Sequence, residues 1–141
     1  MKYAKLMMAL TMTMLPMLAA AQMKSSDKIV TQVPFEFMVG NQTLPAGKCI
    51  VQPATPDMKT VRIHDVDAKL SLFSTISTVE TKKAAGSYAL VFHKYGDRHF
   101  LWGVKLEGDR TMYRLPENRA EAELRAQNVT ATEEILLASL R

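Results

Sequence analysis

The sequence predicts a mainly β protein: an antiparallel sandwich or small barrel of about seven strands with a C-terminal helical segment. Three observations carry this. Short runs alternate apolar and polar residues with period two. Turn residues interrupt those runs roughly every eight to twelve positions. After Leu115 the composition changes, and the first stretch rich in Ala, Glu and Arg begins.

The clearest strand runs from Ile29 to Val39. Ile29, Thr31, Val33, Phe35, Phe37 and Val39 share one parity; Lys28, Gln32, Pro34 and Glu36 share the other, with Val30 and Met38 as exceptions. One face therefore meets a core and the other meets water. Pro34 has no N–H to give a ladder, so the strand is expected to lie at an edge or to bulge there. Gly40 to Thr43 reads as a loop. Leu44-Pro45-Ala46-Gly47 reads as a β-turn, with proline presetting φ at its second position. A second strand, Lys48 to Gln52, stops at Pro53, and Pro56-Asp57 turns the chain. Thr60 to His64 follows, with Val61 and Ile63 inward. After a turn at Asp65–Ala68, a fourth strand is marked by Leu70, Leu72, Ser74 and Ile76, and Glu80 to Gly86 is a polar loop.

The strongest hairpin pairs Ser87–Tyr95 with Arg98–Leu106 across Gly96-Asp97, a Gly-X pair suited to a tight turn. It places Val91 opposite Trp102 and Phe92 opposite Leu101. Apolar residues occupy both parities, so these strands are expected to be central or covered on both sides. Thr111 to Leu115 is a seventh strand. Pro116 suits a helix start and Glu117 its first turn. Glu121 and Arg125 are spaced for an i,i+4 pair, and the helical segment is placed at 117–128. Val129 to Arg141 reads either as a second helix opening at Glu133-Glu134 or as a closing strand over Ile135–Leu140.

The first 21 residues read as a secretory signal peptide. Lys2 and Lys5 give a basic start. Leu6 to Leu18 is apolar apart from Thr11, Thr13 and Pro16, and Ala19-Ala20-Ala21 is a pattern that a signal peptidase accepts. Cleavage is expected between Ala21 and Gln22. The apolar run is shorter than the roughly 20 residues that span a bilayer. No later segment approaches that length, so no transmembrane segment is expected in the mature chain. It should be exported, periplasmic or extracellular. Cleavage leaves 120 of the 141 residues, 22–141, enough for one domain with its own core. Six of the ten methionines leave with the signal, so the methionine content marks no binding surface. Losing Lys2 and Lys5 lowers the net charge from +4 to +2, and the remaining cations are dispersed, which argues against a nucleic-acid partner.

Few residues group into recognisable chemistry. His93, Asp97 and His99 lie close in sequence, with His64, Asp65 and Asp67 elsewhere. A two-residue loop at Gly96-Asp97 puts Lys94 opposite His99 and His93 opposite Phe100, so the two histidines point to opposite faces and share no ion. A three-residue loop would bring them together. The sequence has no Gly-x-Ser-x-Gly elbow and no Gly-rich phosphate loop. No catalytic residue, metal or cofactor is therefore assigned. Cys49 is the only cysteine, which excludes an internal disulfide. Burial as a small apolar residue is the expected role; an intermolecular disulfide and a nucleophile are the alternatives. Aromatic residues crowd the hairpin, mostly as core. Tyr88, His93, Tyr95 and Trp102 stand as candidates for a ligand patch.

Several segments resemble, in order and spacing, a family of small exported bacterial proteins of unknown function. They are Val33-Pro34-Phe35-Glu36-Phe37-Met38-Val39-Gly40, Leu44-Pro45-Ala46-Gly47, Leu90-Val91-Phe92-His93-Lys94-Tyr95-Gly96-Asp97, Phe100-Leu101 and Leu115-Pro116. Cys49 and His99 stand where that family usually has aromatic residues. The resemblance implies export and a β fold, and it implies no activity, substrate or cofactor. The expected function is that of an exported, non-enzymatic structural or interaction protein, with a protein partner or a second copy joined through an edge strand. The alternative is a small binding module for an apolar or carbohydrate ligand.

Overall fold

A computed structural model of the chain describes residues 27–141. The signal segment and the expected cut at Ala21–Gln22 lie outside the described residues. The fold is mainly β, as the sequence predicts, and it is a sandwich of two sheets rather than a closed barrel. Among the described residues there are twelve strands, not about seven. The difference has a physical cause: runs that read as single strands break where the chain passes from one sheet to the other.

The Ile29–Val39 run is the clearest case. It forms β1 (Ile29–Val33) and β2 (Phe37–Val39), which belong to different sheets. Pro34 lies neither in an edge strand nor at a bulge; it ends β1 and starts the crossing. Parity survives the break. Thr31, Val33, Phe37 and Val39 are buried and Phe35 is half-buried, whereas Gln32, Pro34 and Glu36 are exposed. β3 (Gln42–Leu44) pairs with β2 around a turn at Gly40-Asn41, so part of the expected loop is strand. Gly40 takes a left-handed φ of 58° there, which glycine adopts without steric cost. Pro45-Ala46 is a bend leading to the other sheet, not a β-turn, and Gly47 already belongs to β4 (Gly47–Pro53). A Cβ at Gly47 would lie 2.6 Å from Oδ2 of Asp67, so this position is held to glycine by close approach.

β5 (Thr60–Asp65) and β6 (Leu70–Thr75) complete the first sheet with β12 (Ser139–Leu140), in the order β12-β1-β4-β5-β6. The expected fourth strand is divided. β6 ends at Thr75, and β7 (Ser77–Glu80) crosses to the second sheet beyond Ile76. The second sheet runs β11-β8-β9-β10-β7, from β8 (Ala89–Tyr95), β9 (Arg98–Lys105), β10 (Thr111–Arg114) and β11 (Thr132–Leu137). β2 joins it at β9 in a parallel bridge, Met38 to Phe100. The closing-strand reading of the C-terminus holds: β11 pairs with β8, and β12 pairs with β1 after the chain crosses at Ala138.

The β8–β9 hairpin has the expected two-residue turn, with Gly96 at φ 59°. Val91, however, faces Gly103 and not Trp102, because a bulge beside Phe92 leaves Trp102 as the extra residue. The bulge turns both Leu101 and Val104 toward the sandwich interior, three positions apart. They meet Val33, Phe37, Leu44, Val51, Ile63, Leu90 and Phe92 in one core between the sheets. Phe92 takes Phe35 and Phe37 edge-on, with centroids at 5.0 and 5.3 Å. Val91, Tyr95, Phe100 and Met112 are buried on the opposite face, so the hairpin is covered on both sides.

Part of that cover is α1 (Arg119–Ala126). It starts later than Pro116 suggests. Asn118 is its N-cap, accepting the Glu121 N–H at 2.6 Å and donating to the Gly40 carbonyl at 2.8 Å. The expected Glu121–Arg125 pair does not form, because Glu121 turns inward; Arg119 pairs with Glu123, and Arg125 with Glu117. No helix among the described residues is long and apolar enough to cross a membrane.

Core position decides the cost of truncation. Phe37→Ala should lose about 3–5 kcal/mol in urea denaturation, Phe35→Ala less because it is half-buried, and Gln32→Ala close to nothing. Equal losses at Phe37 and Gln32 would contradict the burial pattern.

Candidate functional site

The hairpin register places Tyr95 opposite Arg98, Lys94 opposite His99 and His93 opposite Phe100. His93 and His99 therefore lie on opposite faces of the second sheet. Each is stacked on an aromatic ring and held by a glutamate from the C-terminal part of the chain.

On the helix side, His93 stacks on Trp102 at 4.3 Å and shares its Nδ1 with Glu121 at 2.7 Å. The Tyr95 hydroxyl donates to the same Glu121 oxygen at 3.1 Å. The Arg114 guanidinium lies over the Trp102 ring at 5.4 Å. Three of the four ligand-patch candidates, His93, Tyr95 and Trp102, thus come together. Tyr88 does not join them; it packs against the sandwich core, and its carbonyl accepts the Ala138 N–H. Sequence reasoning missed Glu121, which is only 4% exposed. Its signal in the sequence pointed to a surface pair with Arg125. Chemically the cluster is a clasp. The carboxylate is occupied by two donors, and no hydroxyl or thiol among the described residues hydrogen-bonds His93. Burial and the adjacent Glu121 charge push the Tyr95 hydroxyl up to about 12.

On the other face His99 stacks on Phe35 at 3.7 Å, nearly parallel, and its Nε2 lies 3.1 Å from Glu134. A cleft of about 280 Å³ opens beside it, lined by Phe35, Glu36, Met38, Thr43, Asp97 and Arg98. Cys49 lies in neither place. It is fully buried opposite Asp65, which is 1% exposed. Burial and the Asp65 charge push its thiol up to about 12. That satisfies the small-apolar reading and leaves the thiol unsuited to an intermolecular disulfide or to nucleophilic attack. No three His, Cys, Asp or Glu residues cluster to hold a metal among the described residues.

A different feature has the character of an interaction site. β6 is an outer strand of the first sheet, and its sequence, Leu70-Ser71-Leu72-Phe73-Ser74-Thr75, carries neither charge nor proline. Its six pairs with β5 run without a bulge. Phe73 is 67% exposed. Edge strands are ordinarily blunted by charge, proline, bulges or shortness. The other outer strands use those devices: β11 carries Glu133 and Glu134, β7 ends at Glu80, and β12 has two residues. Beside β6 a hollow of about 450 Å³ lies between the β2–β3 turn, Val39 to Gln42, and Ser71, Leu72 and Phe73 of β6. A single strand's pattern does not say which strands flank it, so the edge was not legible in the sequence. The lack of any charge from Leu70 to Ile76 was the available signal.

Tyr95 gives the helix clasp a pH signature. Its hydroxyl ionises near 10 in an unfolded chain and near 12 in the fold. The contribution is complete below about 10 and is lost as pH rises toward about 12. Stability from urea melts should therefore fall across that window. Tyr95→Phe should fall less steeply, retaining only the part due to Cys49, whose pKa is raised in the same sense. Identical slopes would contradict the burial of the Tyr95 hydroxyl beside Glu121. No family model, curated protein or solved structure matches this chain.

Proposed function

We propose that this is an exported, non-enzymatic interaction protein that takes an extended strand of another polypeptide onto β6. The observation that carries the reading is the uncharged, unbulged outer strand with Phe73 standing 67% exposed on it. Strand addition gains its affinity from main-chain hydrogen bonds and its specificity from alternate side chains. Export, to the periplasm or beyond, is supported by the basic-apolar-small pattern of the first 21 residues and by the resemblance to small exported bacterial proteins. A non-enzymatic role is supported by His93 and His99, each tied to a glutamate on a different face, and by Ser71, whose hydroxyl beside His64 is also held by two Arg62 donors.

A small binding module is the second reading, favoured by the cleft beside Phe35 and Arg98. Against the roughly 300–1,000 Å³ usual for ligand sites, the hollow beside β6 holds about 450 Å³ and this cleft about 280 Å³, so size does not separate the readings. The aromatic patch that would enlarge the cleft is on the other face and is engaged with Glu121. The edge reading therefore ranks first.

Site-specific photo-crosslinking in the native host tests it. A benzoylphenylalanine at Phe73 should give an adduct with one polypeptide, and the same group at exposed Lys82 should not. Equal labelling at both positions, or none at Phe73 in exported folded protein, would overturn the reading.

A further inference from the structure

We infer that the partner segment is an acidic one, alternating carboxylate and apolar side chains; this rests on strand addition at β6. The outward face of the first sheet supplies the charge argument. Its outward positions in β1, β4, β5, β6 and β12 include Lys48 and Arg62, with His64 beside them, and no aspartate or glutamate. Neither Lys48 nor Arg62 forms an ion pair with any described residue. Arg62 instead donates from Nε and Nη2 to Ser71 Oγ of β6 at 3.2 and 3.0 Å, and His64 Nδ1 meets the same oxygen at 2.8 Å. Positive charge is thus brought up to the edge strand itself. Asp57, at the Thr75 end of β6, is engaged by the Thr55 hydroxyl and the Lys59 N–H. Asp65 is buried inward, and Asp67 accepts the backbone N–H of Lys48.

The two faces of an added strand would meet different surroundings. Its outward side chains would lie beside Ser71, Phe73 and Thr75, next to Arg62, where carboxylates find an unpaired cation. Its inward side chains would lie beside Leu70 and Leu72, where apolar groups extend the core. Acidic-out and apolar-in is the alternation these surroundings select. A second copy fits less well. Pairing β6 with β6 would join two faces carrying Lys48 and Arg62 into one sheet with no carboxylate between them.

Fluorescence anisotropy with labelled octapeptides of alternating Val-Glu, Val-Thr and Val-Lys, titrated with the mature protein, tests the inference. The Val-Glu peptide should bind about tenfold or more tighter than Val-Thr, Val-Lys should be weakest, and the preference should shrink in high salt. Lys48→Glu with Arg62→Glu should turn the preference toward Val-Lys, and Phe73→Ser should weaken all three. Because Arg62 also holds Ser71, Arg62→Gln, checked by circular dichroism, removes the charge while keeping an N–H donor for Ser71, and should reduce the Val-Glu preference. Equal affinities, or no binding while Phe73 still yields photo-adducts, would overturn the acidic chemistry and leave strand addition standing. Tight binding of polyphosphate that ignores Phe73→Ser would show charge without strand pairing and overturn the inference. So would self-association of the peptide-free protein in sedimentation, which would make a second copy the occupant.

Discussion

The packing of Phe92 between the sheets is the contact on which the rest depends. Phe92 is fully buried on β8 and meets Phe35 and Phe37 edge-on. Those two rings flank the place where the chain leaves the first sheet and enters the second. One aromatic cluster therefore fixes the crossing, the face that β8 turns inward, and the distance between the sheets. The bulge at Trp102 follows from it: with Phe92 inward, only an extra residue lets Leu101 and Val104 both reach the same core.

Both faces of the hairpin are finished by the C-terminal part of the chain. α1 brings Glu121 to His93 and Tyr95, and β11 brings Glu134 to His99. The chain then crosses at Ala138 to lie beside β1. Two histidines that look like ligands in the sequence thus serve as attachment points, one per face. Burial of Glu121 is tolerable because its carboxylate receives two donors, whereas an unpartnered buried carboxylate would be costly.

What was legible in the sequence was parity. Ile29, Thr31, Val33, Phe37 and Val39 are buried as their alternation predicts, and the two-residue reading of Gly96-Asp97, against a three-residue loop, is the one that places His93 and His99 on opposite faces. Membership of a sheet was not legible. Pro34, Pro45-Ala46, Ile76 and Ala138 each mark a crossing, yet period two continues through the first of them unchanged. The bulge at Trp102 was invisible because Phe100, Leu101 and Trp102 are apolar on both parities. Glu121 was misplaced because a local i,i+4 rule competes with a long-range buried partner, and the partner wins when desolvation favours a pair of donors. The open edge at β6 depends on strand order, which a single chain segment does not encode.

β6 is where this sandwich departs from the usual protection of its margins, and the functional account stands on that departure. Residue-resolved hydrogen exchange of the protein, measured alone and under native conditions, tests it most directly. The account predicts that successive amides of Leu70–Thr75 alternate: those facing β5 are protected and those facing outward exchange at near-unprotected rates, while β4, β5 and β8 stay slow throughout. Uniform protection along β6 in the isolated monomer would mean that its edge is already covered, and would contradict the account.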